Sequence, residues 1–487
     1  MKRNYTQSAM ALENLVNSPN EWKCSTLGEI CKAGGGGIQT GPFGSQLHAA
    51  DYVPEGIPSI MPKNIMVERI NPEDIACISD EDAKRLAKYL VRSGDIIYSR
   101  RGDVEKCALV TDNENGWLCG TGCLRIRLGE QSQVSPAYLH AFLAHPNVRE
   151  WVLRHAIGAT MPNLNTSILN ALPVPIPSDE AQREIATIWR TSIDKIELNR
   201  RMNRTLEEMA QAIFKSWFVN FEPVKAKAAA KAAGATAEEI NRAAMAALAG
   251  KARAELDALP PSTLDSLAQT AALFPDSLQP SELGEIPVGW EVGKLGDIAE
   301  NRREGVHPST LSPNTPYVGL EHIEKLCFSL YTWGSASDVD SQKSRFSKGD
   351  FLFGKLRPYF HKVCYPAIEG ICSTDILVIR PSKLEYSGFV GCQIFEPNFV
   401  EFANVRSTGT RMPRAKWKDM ADFPLAIPPS QLADKFTELV SQHWEYKNSN
   451  VHQSRTLAEL RDTLLPKLLS GELTVPVTGS KTEESLS

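Results

Sequence analysis

Cysteine is sparse in this sequence and never paired: ten in 487 residues, no CxxC, and no two closer than Cys119 and Cys123. No histidine stands at a finger-like distance from those two, so zinc is not expected. Reduced, buried thiols in a cytoplasmic protein are. Long apolar runs are missing as well. None approaches a membrane span, and the opening MKRNYTQSAMALENLV lacks the apolar centre of a signal peptide. Charge of one sign is not in excess. Lys and Arg number 53 against 58 Asp and Glu, for a net −5, which disfavours a general polyanion binder but leaves local basic fields open.

Catalytic constellations are lacking too. Gly349–Leu356 fits G-x-x-x-x-G-K, yet Leu356 stands where a Ser or Thr must ligate magnesium. Gly34–Gly37 with Gly41 does not open a helix after a strand, and reads as a flexible surface loop. Pro72-Glu-Asp74 with Asp82-Ala-Lys84 echoes a nuclease cluster poorly and reads as a solvated face. No catalytic residue and no metal site is expected.

What is present is a duplication. Trp22-Lys-Cys-Ser-Thr-Leu-Gly-Glu-Ile30 returns as Trp290-Glu-Val-Gly-Lys-Leu-Gly-Asp-Ile298, and Gly94-Asp-Ile-Ile-Tyr98 as Gly349-Asp-Phe-Leu-Phe353. Thr121–Arg127 matches Thr374–Arg380, and Gly158-Ala-Thr-Met-Pro162 matches Gly409-Thr-Arg-Met-Pro413. The order is kept while the offset drifts, so loops differ and the scaffold repeats, at a period too long for a solenoid. Asp95–Ser99, Leu124–Leu128 and Asp350–Phe353 read as strands, and 136–155 as helix behind a first-turn proline. The proline-rich segments 172–177 and 423–429 can be neither helix nor central strand, and read as stiff leads.

Each lead enters a long amphipathic stretch. Ile185, Trp189, Leu206, Met209, Ile213 and Trp217 in one, and Phe436, Val440, Leu457, Leu460, Leu464 and Leu468 in the other, step by three or four. Two such helices in one chain suggest an antiparallel coiled-coil pair burying these seams or docking partners along them. The expected class is α+β: two tandem recognition domains of twisted sheet and helices, separated by two long antiparallel helices in a pseudo-two-fold repeat. The boundaries are a first domain at 1–178, a helix at 179–222, an Ala-rich helical linker at 223–283, a second domain at 284–430, a second helix at 431–473 and a disordered tail at 474–487.

Polar and basic groups fall in equivalent loops. The first half offers Gln39, Thr40, Ser45 and Gln46 in a glycine-rich loop, then Lys63, Asn64, Ser99, Arg100, Arg101, Thr160 and Asn163. The second offers Arg302, Arg303, His322, Lys355, Arg357, Arg411, Arg414 and Lys416. Gln, Asn and Arg can bond base edges in pairs, and Lys, Ser and Thr suit phosphates. Different chemistry at the same positions of two repeats suggests two readers of two DNA sequences.

With these features the chain resembles the specificity subunit of a type I restriction-modification system over nearly its whole length. Phe214-Lys-Ser-Trp-Phe-Val-Asn-Phe-Glu-Pro223 and Arg455–Leu473 carry the resemblance most specifically. It implies a non-catalytic subunit whose two target-recognition domains read a split, asymmetric site in double-stranded DNA, with the helices as a ruler. It implies two modification (methyltransferase) subunits and restriction (translocase/nuclease) subunits as partners, no membrane, and no cofactor in this chain. S-adenosylmethionine, ATP and magnesium would belong to the partners. Two alternatives stay open at this point: a non-DNA coiled-coil scaffold with two protein-binding heads, and a stand-alone nuclease.

Overall fold

The computed structural model describes residues 22–66, 69–158, 162–409 and 412–473. Thr160 and Arg411, like the tail at 474–487, lie outside the described residues. The chain divides into two compact units, Met1–Ile196 with Thr456–Ser487, and Glu197–Arg455. Each takes a portion of both long helices, so the units do not coincide with the halves of the sequence.

The first unit opens with β1 (Lys23–Thr26) and α1 (Leu27–Ala33). The acid of the repeated Leu-Gly-acid-Ile string is a helix cap: Glu29 accepts the Thr26 amide at 3.1 Å while Thr26 Oγ1 accepts the Glu29 amide at 3.3 Å. A four-stranded antiparallel sheet follows from β2 (Gly37–Thr40), β3 (Ile96–Ser99), β4 (Cys107–Leu109) and β5 (Cys123–Arg127), in the order β2-β5-β3-β4. A second small sheet, from Tyr52–Val53, Ala76–Ile78, Ile57–Ile60 and Leu118–Cys119, contains one parallel pair. The helical stretch is two helices, α2 (Pro136–Leu143) and α3 (Pro146–His155), broken where His145 Nδ1 caps the Asn147 amide. The proline-rich lead forms β6 (Pro173–Ile176), which among the described strands pairs with β1 alone, where an edge position tolerates missing donors. Ser178 Oγ then accepts the Ala181 amide at the start of α4 (Asp179–Phe214).

In the second unit, α4 runs on through a wider π-type turn, Lys215–Val219, that buries Trp217 and Phe218. The Ala-rich stretch, expected as a helical linker, is helical and carries a small core of its own. It folds as α5 (Glu222–Ala232), α6 (Ala237–Ala249) and α7 (Pro261–Ala272) with a small core of Ala244, Met245, Leu256 and Ala271. It is tied back through Phe274, which meets Trp217 edge-on at 5.3 Å, and through Lys227 Nζ on the Phe274 carbonyl. The hairpin β7 (Leu278–Ser281) and β8 (Gly284–Pro287) leads into β9 (Glu291–Lys294) and α8 (Leu295–Ile298). The pattern of the first unit then repeats. Asp297 caps the Lys294 amide. β10 (Ala299–Arg302), β11 (Phe351–Gly354), β12 (Val363–Cys364) and β13 (Ile376–Pro381) form a sheet in the order β10-β13-β11-β12. Helices α9 (Ser387–Phe395) and α10 (Pro397–Val405) cover it, and β14 (Pro424–Ile427) pairs with β9 before α11 (Ser430–Leu469). Gly391 lets α9 lie against α11, since a Cβ there would meet the Trp444 ring at 2.6 Å.

The repeated Gly-Asp acquires a physical reason. Gly94 and Gly349 adopt φ of 89° and 93°, which glycine tolerates best. The following Asp is buried in both units. Asp95 accepts the Arg92 amide and is forked by Arg127 at 2.5–2.7 Å, and Asp350 accepts the Ser347 amide and is forked by Arg380 at the same range.

The helix seam departs from expectation. Ile185 and Trp189 are buried in the first unit with Leu465, Leu468 and Leu469, and Phe436 and Val440 are buried in the second. Leu206, Ile213, Leu457 and Leu464 are only half-buried. Met209 is 46% exposed and Leu460 51%, so neither belongs to the seam. The buried stripe passes one position away, through Asn199, Asn203, Glu207, Ala210 and Phe214, facing Lys447, Asn450 and Ser454. Its polar residues hide it from a reading by hydrophobicity.

Candidate nucleic-acid interface

Strand direction decides which loops converge. β2 and β3 both run antiparallel to β5, with Thr40 opposite Leu124 and Ser99 opposite Cys123, so their following loops leave the same end of the sheet. There the Arg100 guanidinium lies 5.7 Å from the Phe43 ring, and Phe43 is half exposed. The Arg100 amide bonds the Gly122 carbonyl, and its own carbonyl accepts the Leu164 amide. Arg101, exposed, pairs in backbone register with Asn163, whose Oδ1 is buried without a described partner. Ser99 Oγ is buried and donates to the Arg101 carbonyl, holding the turn rather than facing outward.

The second unit builds the same end from β10 and β11. The Ala415 amide bonds the Lys355 carbonyl, Leu356 pairs with Arg414, and the Arg357 amide bonds the Pro413 carbonyl. Asp375 sits between two cations, Lys355 Nζ at 3.9 Å and Arg414 Nη2 at 3.6 Å. Lys416 and Arg303 are exposed nearby in sequence, and exposed Arg302 lies 3.4 Å from Glu300. On the far side of the turn, Lys325 Nζ stands 4.1 Å over the Phe360 ring. Burial, and then the Lys325 charge, hold the Lys362 ammonium below its ordinary pKa, with Glu321 opposing.

Several candidate residues serve the scaffold instead. Gln39 and Thr40 lie on strand β2, not in a loop, and Gln39 Oε1 accepts from Arg125 at 2.7 Å. The glycine run is packed rather than loose: a Cβ at Gly34 would meet the Leu128 carbonyl at 2.0 Å, and one at Gly41 the Gly120 carbonyl at 2.1 Å. Gln46 Oε1 accepts from the Tyr89 hydroxyl and the Phe43 amide. Asn64 is buried, accepting the Met61 amide and donating to the Asn71 carbonyl. His322 Nδ1 accepts the Gly319 amide. A side chain committed to its own loop has fewer atoms left for a ligand. Lys63 is exposed with its ammonium 2.8 Å from the Asp74 carbonyl, and Ser45 is exposed. Motif spacing overlooked Phe43, Lys325, Tyr359 and Phe360, because a single aromatic or lysine carries no pattern until the fold sets it beside the turn.

The profile of the Type I restriction modification DNA specificity domain matches residues 19–208. The specificity subunit of the type I restriction enzyme HindI from Haemophilus influenzae is 27% identical over 411 residues, 81% of this chain and 89% of that protein. The specificity subunit of MjaIX from Methanocaldococcus jannaschii is 25% identical over 473 residues, 94% of each. Over most of its length the chain is thus similar to type I restriction specificity subunits. A solved type I specificity subunit from M. genitalium aligns over 92% of this chain and 96% of that one, at 14% identity and a TM-score of 0.49. Specificity subunits are non-catalytic, and their partners are DNA and the other restriction-modification subunits. Among the described residues of this chain, no three His, Cys, Asp or Glu side chains are grouped to hold a metal ion. No described helix is long and apolar enough to cross a membrane.

Proposed function

We propose that each unit of this specificity subunit reads one part of a split, asymmetric DNA site, and that the paired helices set the gap between the parts. One observation carries the reading. The same strand end meets the same returning segment in both units, at Asn163 and Leu164 in one and at Pro413, Arg414 and Ala415 in the other, yet the side chains there differ: Arg100, Arg101 and Asn163 in one, Lys355, Arg357, Arg414 and Lys416 in the other. A common frame with exchanged contact groups is what two readers of different sequences require. In this reading two modification subunits dock on the helices, with exposed Met209 and Leu460 on the docking faces. S-adenosylmethionine is then held by those partners, and ATP with magnesium by the restriction subunits.

Co-expression with a candidate modification subunit, followed by base-resolution mapping of N6-methyladenine, tests this. A single split motif with a fixed gap, lost when this chain is omitted, is the expected outcome. Arg101→Ala should relax the motif in one part only. A continuous motif, or equal loss in both parts, would overturn the two-reader assignment.

A further inference from the structure

The two units can be superposed in sequence at the turn after the central strand. Arg101 pairs with Asn163 in one, and Leu356 with Arg414 in the other. The next residue is Gly102 at φ 76° in the first unit and Arg357 at φ 53° in the second. A left-handed backbone suits glycine and strains any side-chain-bearing residue. Arg357 is further restricted by Pro358, which favours extended backbone at the position before it. The second turn is also one residue longer, since Tyr98 pairs with Cys107 whereas Phe353 pairs with Val363. An arginine held at a position where its counterpart is glycine costs stability, so a demand on the side chain itself is the natural reason to keep it.

The surroundings say what that demand is. Arg357 makes no ion pair with a described residue, unlike its neighbours Lys355 and Arg414, which share Asp375. Its guanidinium lies 5.9 Å from the Phe360 ring, and its Nε is buried with no hydrogen-bond partner among the described residues. Lys325 approaches the same ring, and Tyr359, stacked edge-on against Phe360 at 4.7 Å, is half exposed. Two cations on one aromatic plate, with no carboxylate among the described residues to neutralise Arg357, form a positive site without its anion.

We propose that Arg357, with Lys325 and the Phe360 ring between them, is an anchor for a DNA phosphodiester in the second recognition unit, and not a reader of base edges. The inference rests on the DNA-reading function proposed above. It assigns the strained arginine to affinity and register, leaving sequence discrimination in that unit to other side chains. The first unit, with Gly102 at this place, has no such anchor there.

The test uses the full chain in complex with its modification subunits. Binding of a duplex carrying the mapped motif, and of one without it, is measured across a salt series for the parent, Arg357→Gly and Arg357→Lys. Arg357→Gly should bind both duplexes about three- to tenfold more weakly and reduce the slope of log affinity against log salt by about one. Its methylated motif should be unchanged, and its melting temperature equal or higher because the strain is released. Arg357→Lys should keep the parent slope. A relaxed base at one position of the motif would make Arg357 a base reader and overturn the proposal. An unchanged slope with a lowered melting temperature would make it structural, with the same consequence. If the parent complex itself shows neither steep salt dependence nor methylation, the DNA-reading function fails before the anchor is in question.

Discussion

The two units hold the same pair of helices by opposite means. In the first, the contact is apolar: Ile185 and Trp189 meet Leu465, Leu468 and Leu469, with the Arg461 guanidinium 5.0 Å over the indole. In the second, the middle of the contact is polar. Glu207 accepts from the Phe328 amide at 3.1 Å and the Ser329 hydroxyl at 2.6 Å, and lies 3.7 Å from the fully buried Lys447 ammonium. Lys447 in turn donates to the Phe328 carbonyl and sits 4.6 Å over the Phe328 ring. Asn450 Nδ2 donates to Asn203 Oδ1, and Asn199 Nδ2 to Gln453 and Ser454. An apolar seam tolerates sliding by a turn with modest loss. A buried network of donors matched to particular acceptors does not. The first unit therefore gains adhesion from the pair, and the second gains register.

The sharpest way to break this contrast is Lys447→Met, which strands the buried Glu207 carboxylate and should cost the second unit about 3–5 kcal/mol. Adding Glu207→Leu should restore stability to within about 1 kcal/mol of the parent, read by urea unfolding. A double variant no better than the single would mean that the network's other bonds, not the ion pair, hold the seam.

Acid should act on the first unit. Burial, then the Arg149 charge, lowers both His140 and His145 to about 4 from an ordinary 6.5. Protonation then occurs first in the unfolded chain, so stability is complete above about pH 6.5 and falls as the pH drops toward 4. The loss is about 2 kcal/mol for each histidine at pH 5. Burial also lowers His361 and His443 in the second unit, but His361 bonds the Phe395 carbonyl, which opposes its shift. Hydrogen exchange at pH 5 and 7.5 should show the first unit loosening more, and equal loosening would contradict that.

The smallest effect on stability is expected from Met209→Ser with Leu460→Ser, under about 0.5 kcal/mol, because both side chains are exposed. Assembly with the modification subunits should nonetheless weaken, as measured by co-purification. Undiminished assembly would remove both residues from the docking faces.

Much of this architecture was legible in the sequence, because backbone needs leave residue-level marks. Gly94 and Gly349 record a turn, and the doubled Leu-Gly-acid-Ile string a repeated element whose acid proves to be a helix cap, while Pro173 and Pro424, read as stiff leads, lie in two-stranded pairs. Less legible was anything that depends on a distant partner. Asn199, Asn203 and Lys447 look like surface residues until their acceptors, far along the chain, are known. The candidate interface divides in the same way. Arg100, Arg101, Lys355, Arg357 and Arg414 come together at equivalent strand ends, whereas Gln39, Gln46, Asn64 and His322 are bound into the scaffold. Residue type marks both groups as hydrogen-bonding, and only the fold tells which bonds are already made.

The composition of the first unit from both ends of the chain has a consequence in time. Ile185 and Trp189 are closed over by Leu465 and Leu468, which the ribosome adds some 276 residues after Trp189. At ordinary translation rates that is roughly a quarter of a minute to a minute. Through that interval the nascent first unit carries an open apolar face, while the second unit, continuous from Glu197 to Arg455, can finish ahead of it. The unit translated first is thus completed last, and its yield in the cell depends on how well that face is shielded until the end of the chain arrives.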